Sequence, residues 1–193
     1  IAISFPVALR VNYMVALFTL TGALVYVALY TLRLKRRTSF NIVFGGLSGS
    51  CAALAGWFAV TSQLSLVPVM IALLLFLWTP SHFWSFAIVH HESYQKAGIP
   101  MLPVLAGAKK TSVFILLFTG FLLPASLLLY FIGSFREVYL VGSVILGVLF
   151  FGSSVRLWLQ PGRERAWTNF KLSGIYLFGL FIVMAIDILV YSF

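Results

Sequence analysis

Apolar residues fill six long runs of the chain, near 12–32, 41–61, 67–90, 112–133, 138–158 and 170–192, and polar residues are concentrated between them. Each run is close to the twenty or so residues that carry an α-helix across the hydrocarbon core of a bilayer. None shows the strict alternation of an outer-membrane strand, which needs only about ten residues. A helix also satisfies its own backbone hydrogen bonds in lipid. The pattern predicts an all-α, polytopic membrane bundle with six full transmembrane helices. No repeat, low-complexity segment or soluble insertion interrupts it, so residues 1–193 are expected to form one domain. The opening stretch Ile1–Leu9 is apolar but too short to span, and it lacks the charged flank and cleavage site of a secretory signal. It reads as the tail of a helix, and the chain as incomplete at its N-terminus.

Composition supports the same class. Of 193 residues, 62% are hydrophobic and 9% charged, and the mean hydropathy is +1.06. A soluble domain carries roughly a quarter charged residues; this chain could not cover its surface with so few. A free nucleic-acid-binding protein is excluded on that ground despite the net charge of +9. The thirteen Lys and Arg residues are instead sorted by loop. Segments 33–40, 91–111 and 156–171 hold four, three and four of them, leaving Arg10 and Arg136 for the alternate connections. The positive-inside rule therefore places those three segments in the cytoplasm, with a cell membrane as the expected location. The single cysteine, Cys51, excludes an internal disulfide, a Cys-rich metal site and a CxxC motif, and reads as a small packing residue.

Several local patterns carry candidate chemistry. Gly45, Gly49 and Gly56, with Ser48, Ala52 and Ala53, make a small-residue face in the second run. Such spacing either lets helix backbones approach closely in lipid or leaves room for an isoprenoid chain or a flat ligand. The third run holds Thr79, Pro80, Ser81 and His82 inside the membrane. Pro80 withdraws a backbone donor and is expected to kink the helix. His82 is either packed and bonded to a neighbouring helix or a functional polar group at membrane depth. Trp78 and Trp84 read first as interfacial belt residues, and second as π faces for a ring or a cation.

The following segment, His90 to Val104, contains two prolines and Gly98, which point to a shaped loop rather than an unbroken helix. Glu92 is its one carboxylate, four residues before Lys96. It suits an i,i+4 ion pair or a hard oxygen ligand for Mg²⁺, which takes one or two carboxylates plus substrate phosphates. His90 and His91 are adjacent, do not point together on a helix, and are weak evidence for a zinc site. The cations of 33–40 serve orientation in the membrane, and several facing the compartment of Glu92 would also suit a diphosphate. Asp187 lies far in sequence from any histidine, so a Ser/His/Asp hydrolase is poorly supported, and there is no phosphate-cradling P-loop.

Three stretches then belong together: Tyr30-Thr31 with Leu34-Lys35-Arg36-Arg37-Thr38, Asn41-Ile42-Val43 and Gly45-Gly46; Phe76-Leu77-Trp78-Thr79-Pro80 with His82-Phe83-Trp84; and Tyr94 with Ala97-Gly98-Ile99-Pro100-Met101-Leu102-Pro103-Val104. In this order and spacing they resemble the protoheme IX farnesyltransferase (haem O synthase) family of UbiA intramembrane prenyltransferases. The resemblance implies the last six helices of a nine-helix bundle, and transfer of farnesyl from farnesyl diphosphate to a vinyl group of haem B. It implies Mg²⁺ touching Glu92, diphosphate contacts from Lys35, Arg36, Arg37 and Lys96, and a pocket shaped by Tyr94 and His82. Haem A synthase or terminal-oxidase assembly are the expected partners. The family's first Asp-rich motif is absent from this sequence. Ser93 stands where an acidic residue is usual, Ser81 where a second proline is usual, and Cys51-Ala52-Ala53 replaces a proline-containing stretch. Other readings are a UbiA-type transferase acting on an aromatic acceptor, such as a quinone precursor, and a catalytically degenerate haem-binding membrane protein.

Overall fold

A computed structural model describes residues 4–191. After α1 (Ser4–Val11), Asn12 starts a second helix, α2 (Tyr13–Leu24). Its side-chain oxygen accepts from the Met14 N–H at 2.8 Å, and its amide donates to Ser62 Oγ at 3.2 Å. That is an N-cap of the ordinary kind, one orphan donor satisfied by a side chain. α2 passes directly into a π-helical segment, Val25–Leu34, closed by the Lys35 N–H donating to the Tyr30 carbonyl at 2.8 Å. Together they make the first span, Tyr13–Leu34.

The remaining spans are α3 (Asn41–Val60), α4 (Leu66–Val89), α6 (Leu102–Ile132), α7 (Glu137–Leu159) and α8 (Arg163–Tyr191), with the short α5 (His91–Lys96) between α4 and α6. Six helices are thus long and apolar enough to cross a membrane, as the apolar runs predict. Residue 192 of the last run lies outside the described residues.

α4 runs through Pro80 as one helix, with Thr79 turned back onto the Leu75 carbonyl at 2.7 Å. One expectation needs adjusting. The segment expected to be loop up to 111 is largely helical, because α6 begins at Leu102. Pro103 sits in its first turn, where a missing N–H costs nothing. The shaping expected from glycine is nonetheless there. Gly98 has φ 64° and Gly107 has φ 76°, and the latter breaks the helical backbone one turn into α6. Both conformations favour a residue without a Cβ.

α4 packs against α3, α6 and α8, and α7 completes the group by packing on α6 and α8. Between these helices lies a chain of buried polar groups. Asn169 Nδ2 donates to Ser85 Oγ at 2.9 Å, and Ser154 Oγ donates to Asn169 Oδ1 at 3.0 Å. Thr119 Oγ1 lies 3.2 Å from both Ser154 Oγ and Ser81 Oγ. One connected set of hydroxyl and amide groups therefore ties α4, α6, α7 and α8 together.

Side-chain contacts sort the connections into two ends. At one end, Asn12 meets Ser62, and Trp57 borders a cavity with Arg136, Asp187 and Tyr191. At the other, Lys109 Nζ donates to the Trp158 carbonyl at 2.6 Å, Phe40 stacks edge-on against Trp84 and Phe114, and Arg163 shares a cavity with His91 and Gly107. The second end gathers the three cation-rich segments, as the loop charges predict.

Asp187 has a structural task that its sequence position does not reveal. It is 2% exposed, and its two oxygens accept from the backbone N–H groups of Arg136 and Tyr139, both at 2.9 Å. A carboxylate on α8 thus caps the first turn of α7, where orphan donors and the helix dipole favour negative charge. Asp187→Asn replaces one acceptor oxygen by an amide donor facing an N–H. It is expected to destabilise the bundle by about 1–3 kcal/mol, read as a lower thermal midpoint in detergent. An unchanged midpoint would show that this cap contributes nothing.

Candidate active site

The cation-rich end is built by three local structures. First, the π-helical segment brings Tyr26 and Tyr30 into a stacked pair, ring centroids 5.7 Å apart. π-helical insertions are rare and recur at functional sites. Lys35 follows at once and is half-buried, while Arg36 and Arg37 are exposed. The turn carrying them is pinned by the buried Asn41, whose amide donates to the carbonyls of Lys35 at 3.3 Å and Thr38 at 2.8 Å.

Second, α5 and its following turn carry Glu92, Tyr94 and Lys96. Glu92 and Lys96 are exposed. They form no ion pair with each other or with another described residue, so of the two readings of Glu92 the i,i+4 pair is not made. α5 has only six residues, and two exposed side chains gain little from being held together in water. Tyr94 is half-buried and packs with Tyr30 against one buried patch that includes Ile42, Trp84, Ile88 and Met101. The Gly98 turn makes this possible: the Ile99 N–H donates back to the Tyr94 carbonyl at 3.0 Å, and Met101 drops into the core at 2% exposure.

Third, α4 presents one continuous side to α8 and to α3. Toward α8, His82 Nδ1 lies 2.6 Å from Ser173 Oγ. Its ring is flanked by Trp78 and Phe170, each with centroids 4.3 Å away. Trp78 donates to the Ser173 carbonyl at 2.8 Å. His82 is therefore bonded to a neighbouring helix, the plainer of its two readings. The belt reading of Trp84 is corrected: it is 0% exposed, enclosed by Phe40, Phe114 and Phe118 in the core.

The adjoining flank of α4, with Trp78 shared between the two, borders a cavity of about 290 Å³, walled by Tyr26, Tyr30, Gly45, Gly49, Trp78 and Phe83. The glycine face divides here. A Cβ on Gly45 would lie 3.1 Å from the Tyr30 ring, and one on Gly46 would lie 3.2 Å from Thr79, so both serve close packing. A Cβ on Gly49 would meet nothing within 4 Å, and this glycine opens the cavity. The space begins near Tyr30 and Ile42, beside the cationic turn, and descends toward Tyr26 and Gly49. It is a greasy, aromatic-walled slot whose Tyr30–Ile42 end is joined in the chain by the cationic turn.

The comparisons with known proteins follow that geometry. The sequence profile described as the UbiA prenyltransferase family matches residues 1–183. The chain belongs to that family. It is 42% identical over 189 residues to a protein named protoheme IX farnesyltransferase from Symbiobacterium thermophilum, covering 97% of this chain and 63% of that protein. A relative of the same name from Marinobacter nauticus is 46% identical over 92% of this chain and 59% of its own length. Protoheme IX farnesyltransferase 1 of Paramagnetospirillum magneticum is 47% identical, with 91% and 62% covered. The chain thus spans about six-tenths of the length of these curated relatives. A solved structure from work on digeranylgeranylglyceryl phosphate synthase superposes with a TM-score of 0.81 at 21% identity, covering 95% of this chain and 64% of that one. That likeness shows a shared fold.

Within this UbiA chain, among the described residues no three His, Cys, Asp or Glu side chains gather to hold a metal. Glu92 is a lone, exposed oxygen donor with no competing cation bound to it. Such a donor fits a divalent ion that takes most of its ligands from a phosphorylated substrate and water. Tyr26, Phe170 and Ser173 escape sequence reasoning; only the i,i+4 spacing of the two tyrosines hints at their pairing.

Burial holds the Tyr94 phenol above its ordinary value of 10.0. The unfolded chain therefore loses this proton first, and the group's contribution to stability falls as pH rises past that value. Tyr94→Phe is expected to flatten the drop in thermal midpoint between about pH 9 and about pH 11. A slope identical to that of the unsubstituted protein would contradict a buried phenol.

Proposed function

We propose that this chain is the greater part of a haem O synthase, transferring farnesyl from farnesyl diphosphate to a vinyl group of haem B, and that residues 1–193 form one UbiA-type domain. The observation that carries the reading is the aromatic slot with the cationic turn at its mouth, built from the same stretches that resemble the farnesyltransferases. The names of the relatives, at 42–47% identity, agree with it.

Lys35, Arg36, Arg37 and Lys96 bind the diphosphate through charge-assisted hydrogen bonds. Their positive charge favours breaking the allylic C–O bond, because negative charge grows on the leaving group. Glu92 would hold Mg²⁺, which when bound would supply further neutralisation of charge on the leaving group. Tyr26, Tyr30, Trp78 and Phe83 line the isoprenoid chain, exclude water and offer π faces to the allylic cation. The haem vinyl group attacks that cation and forms the new C–C bond; water then adds to the resulting cation, and the proton it loses leaves a hydroxyethyl group. Tyr94 braces the mouth from α5. His82, held by Ser173, shapes the wall on the α8 side. The cation-rich end faces the cytoplasm of a cell membrane, in accord with the positive-inside rule, where haem A synthase or a terminal oxidase under assembly would take the product.

Two substitutions in the full-length protein test this reading. Glu92→Gln is expected to lower haem O formation by about a hundredfold or more; unchanged turnover would remove Glu92 from the site. Gly49→Leu projects a side chain into the slot from a position whose Cβ meets nothing, and is expected to raise the KM for farnesyl diphosphate while leaving folding intact. Gly56→Leu is the matched control, since Gly56 also has open space at its Cβ but does not wall the slot. Equal kinetics for the two variants would place the isoprenoid elsewhere. Prenylation of hydroxybenzoate in place of haem B would identify an aromatic-acceptor transferase instead.

A further inference from the structure

On the outer side of the bundle, α7 and α8 leave a second opening at the cation-rich end, a groove of about 250 Å³. Its upper rim is Arg156, in the last turn of α7, and Arg165, in the first turn of α8. Below them the two antiparallel helices supply Gly152 and Leu149 on one wall and Thr168 and Leu172 on the other. On α8 the groove residues 165, 168 and 172 lie on the face opposite Phe170, at 100° per residue. Phe170 packs on His82, so the groove faces away from the candidate active site.

Three features show what the groove suits. Neither arginine is neutralised: among the described residues neither forms an ion pair, and the only side-chain hydrogen bond of the two runs from Arg165 to the neutral Gln160 Oε1 at 3.3 Å. Glu164, the nearest acid in sequence, lines a different cavity with His90, Arg163 and Trp167. Next, Gly152 leaves its wall empty, since a Cβ there would meet nothing within 4 Å. Last, Leu149 is 56% exposed beside it, an apolar surface that no described residue covers. Thr168 spends its proton on the Glu164 carbonyl at 3.0 Å, which leaves anion recognition to the guanidinium groups.

Two unpaired guanidinium groups above an apolar slot match an amphiphile with one anionic phosphodiester and hydrocarbon chains. Basic pockets between transmembrane helices hold anionic lipid headgroups for this reason, and guanidinium groups bind phosphate oxygens in pairs. We propose that the α7–α8 groove is a site for one anionic phospholipid, its phosphate between Arg156 and Arg165 and an acyl chain laid over Gly152. The site is separate from the isoprenoid slot and does not depend on which acceptor the protein uses.

Native mass spectrometry of the full-length protein, released from detergent doped with equal phosphatidylglycerol and phosphatidylcholine, tests this directly. The unsubstituted protein is expected to retain phosphatidylglycerol selectively. Arg156→Gln with Arg165→Gln is expected to lower that selectivity by roughly thirtyfold. Gly152→Phe, which fills the groove and leaves both arginines in place, is expected to lower phosphatidylglycerol retention while thermal midpoints in phosphatidylcholine stay unchanged. Should the double variant fail to fold, the Gly152 variant decides alone. Equal retention of the two lipids, or of phosphatidylglycerol by wild type and Gly152→Phe, overturns the proposal. So does displacement by millimolar inorganic phosphate, which would make the rim a site for soluble anions.

Discussion

Hydrogen bonds between helices are what the bundle depends on. In lipid, an apolar helix face gains nothing by leaving hydrocarbon tails for other apolar side chains, so close packing and polar contacts must hold helices together. Here those contacts are concentrated on α4. Ser81 and Ser85 reach α6, α7 and α8 through Thr119, Ser154 and Asn169, and His82 reaches α8 through Ser173. All of these side chains except His82 are essentially excluded from the surface. An unpaired hydroxyl at this depth would carry its full desolvation penalty, so the helices have one arrangement in which every member is satisfied. That arrangement turns the opposite face of α4, with Thr79 and Phe83, toward α3 and the π-helical segment. The slot is a by-product of how the core polar groups are paired.

Charge is the second constraint, and it acts on ends rather than on faces. Arg136 at one end is absorbed by its surroundings, its guanidinium lying over the Tyr191 ring at 5.0 Å. The cations at the other end are mostly left without anionic partners. A surface that gathers so many unneutralised cations stores repulsion, which the proposed ligands, a lipid headgroup and a diphosphate, would relieve. The same distribution that the positive-inside rule reads as orientation also puts charge beside both proposed sites.

The membrane class, the six spans and the common end of the cationic segments were legible in the sequence because each rests on a one-dimensional property, the length of an apolar run or the parity of a loop. Features that depend on neighbours across the bundle were not. Asp187 looked like an isolated acid in the last span, because the α7 N–H groups that need it are about fifty residues away in the chain. Trp84 looked like a belt residue because nothing local records that Phe40, Phe114 and Phe118 enclose it. The π-helical turn at Val25–Leu34 has no compositional mark at all, since its residues are ordinary helix and strand formers. For Glu92 and Lys96 the local rule offered an ion pair as one of two readings, and the pair is not made, because i,i+4 attraction is weak on so short a helix. The glycine face was legible as a face, but its division into packing and open positions depends on where Tyr30 and Thr79 fall.

Slot and groove share one logic. Each starts at the cationic end, descends roughly two turns of helix, or about 10 Å, and is kept open by one glycine, Gly49 or Gly152, whose Cβ would touch nothing. Their walls differ. Tyrosine and tryptophan in the slot present polarisable π faces that stabilise positive charge, which suits a substrate that ionises. Leucine in the groove offers only dispersion and water exclusion, which suits a chain that stays inert. Depth and head-group charge are thus common to both, and the reactive or passive character of the bound amphiphile is decided by the side chains that face its hydrocarbon.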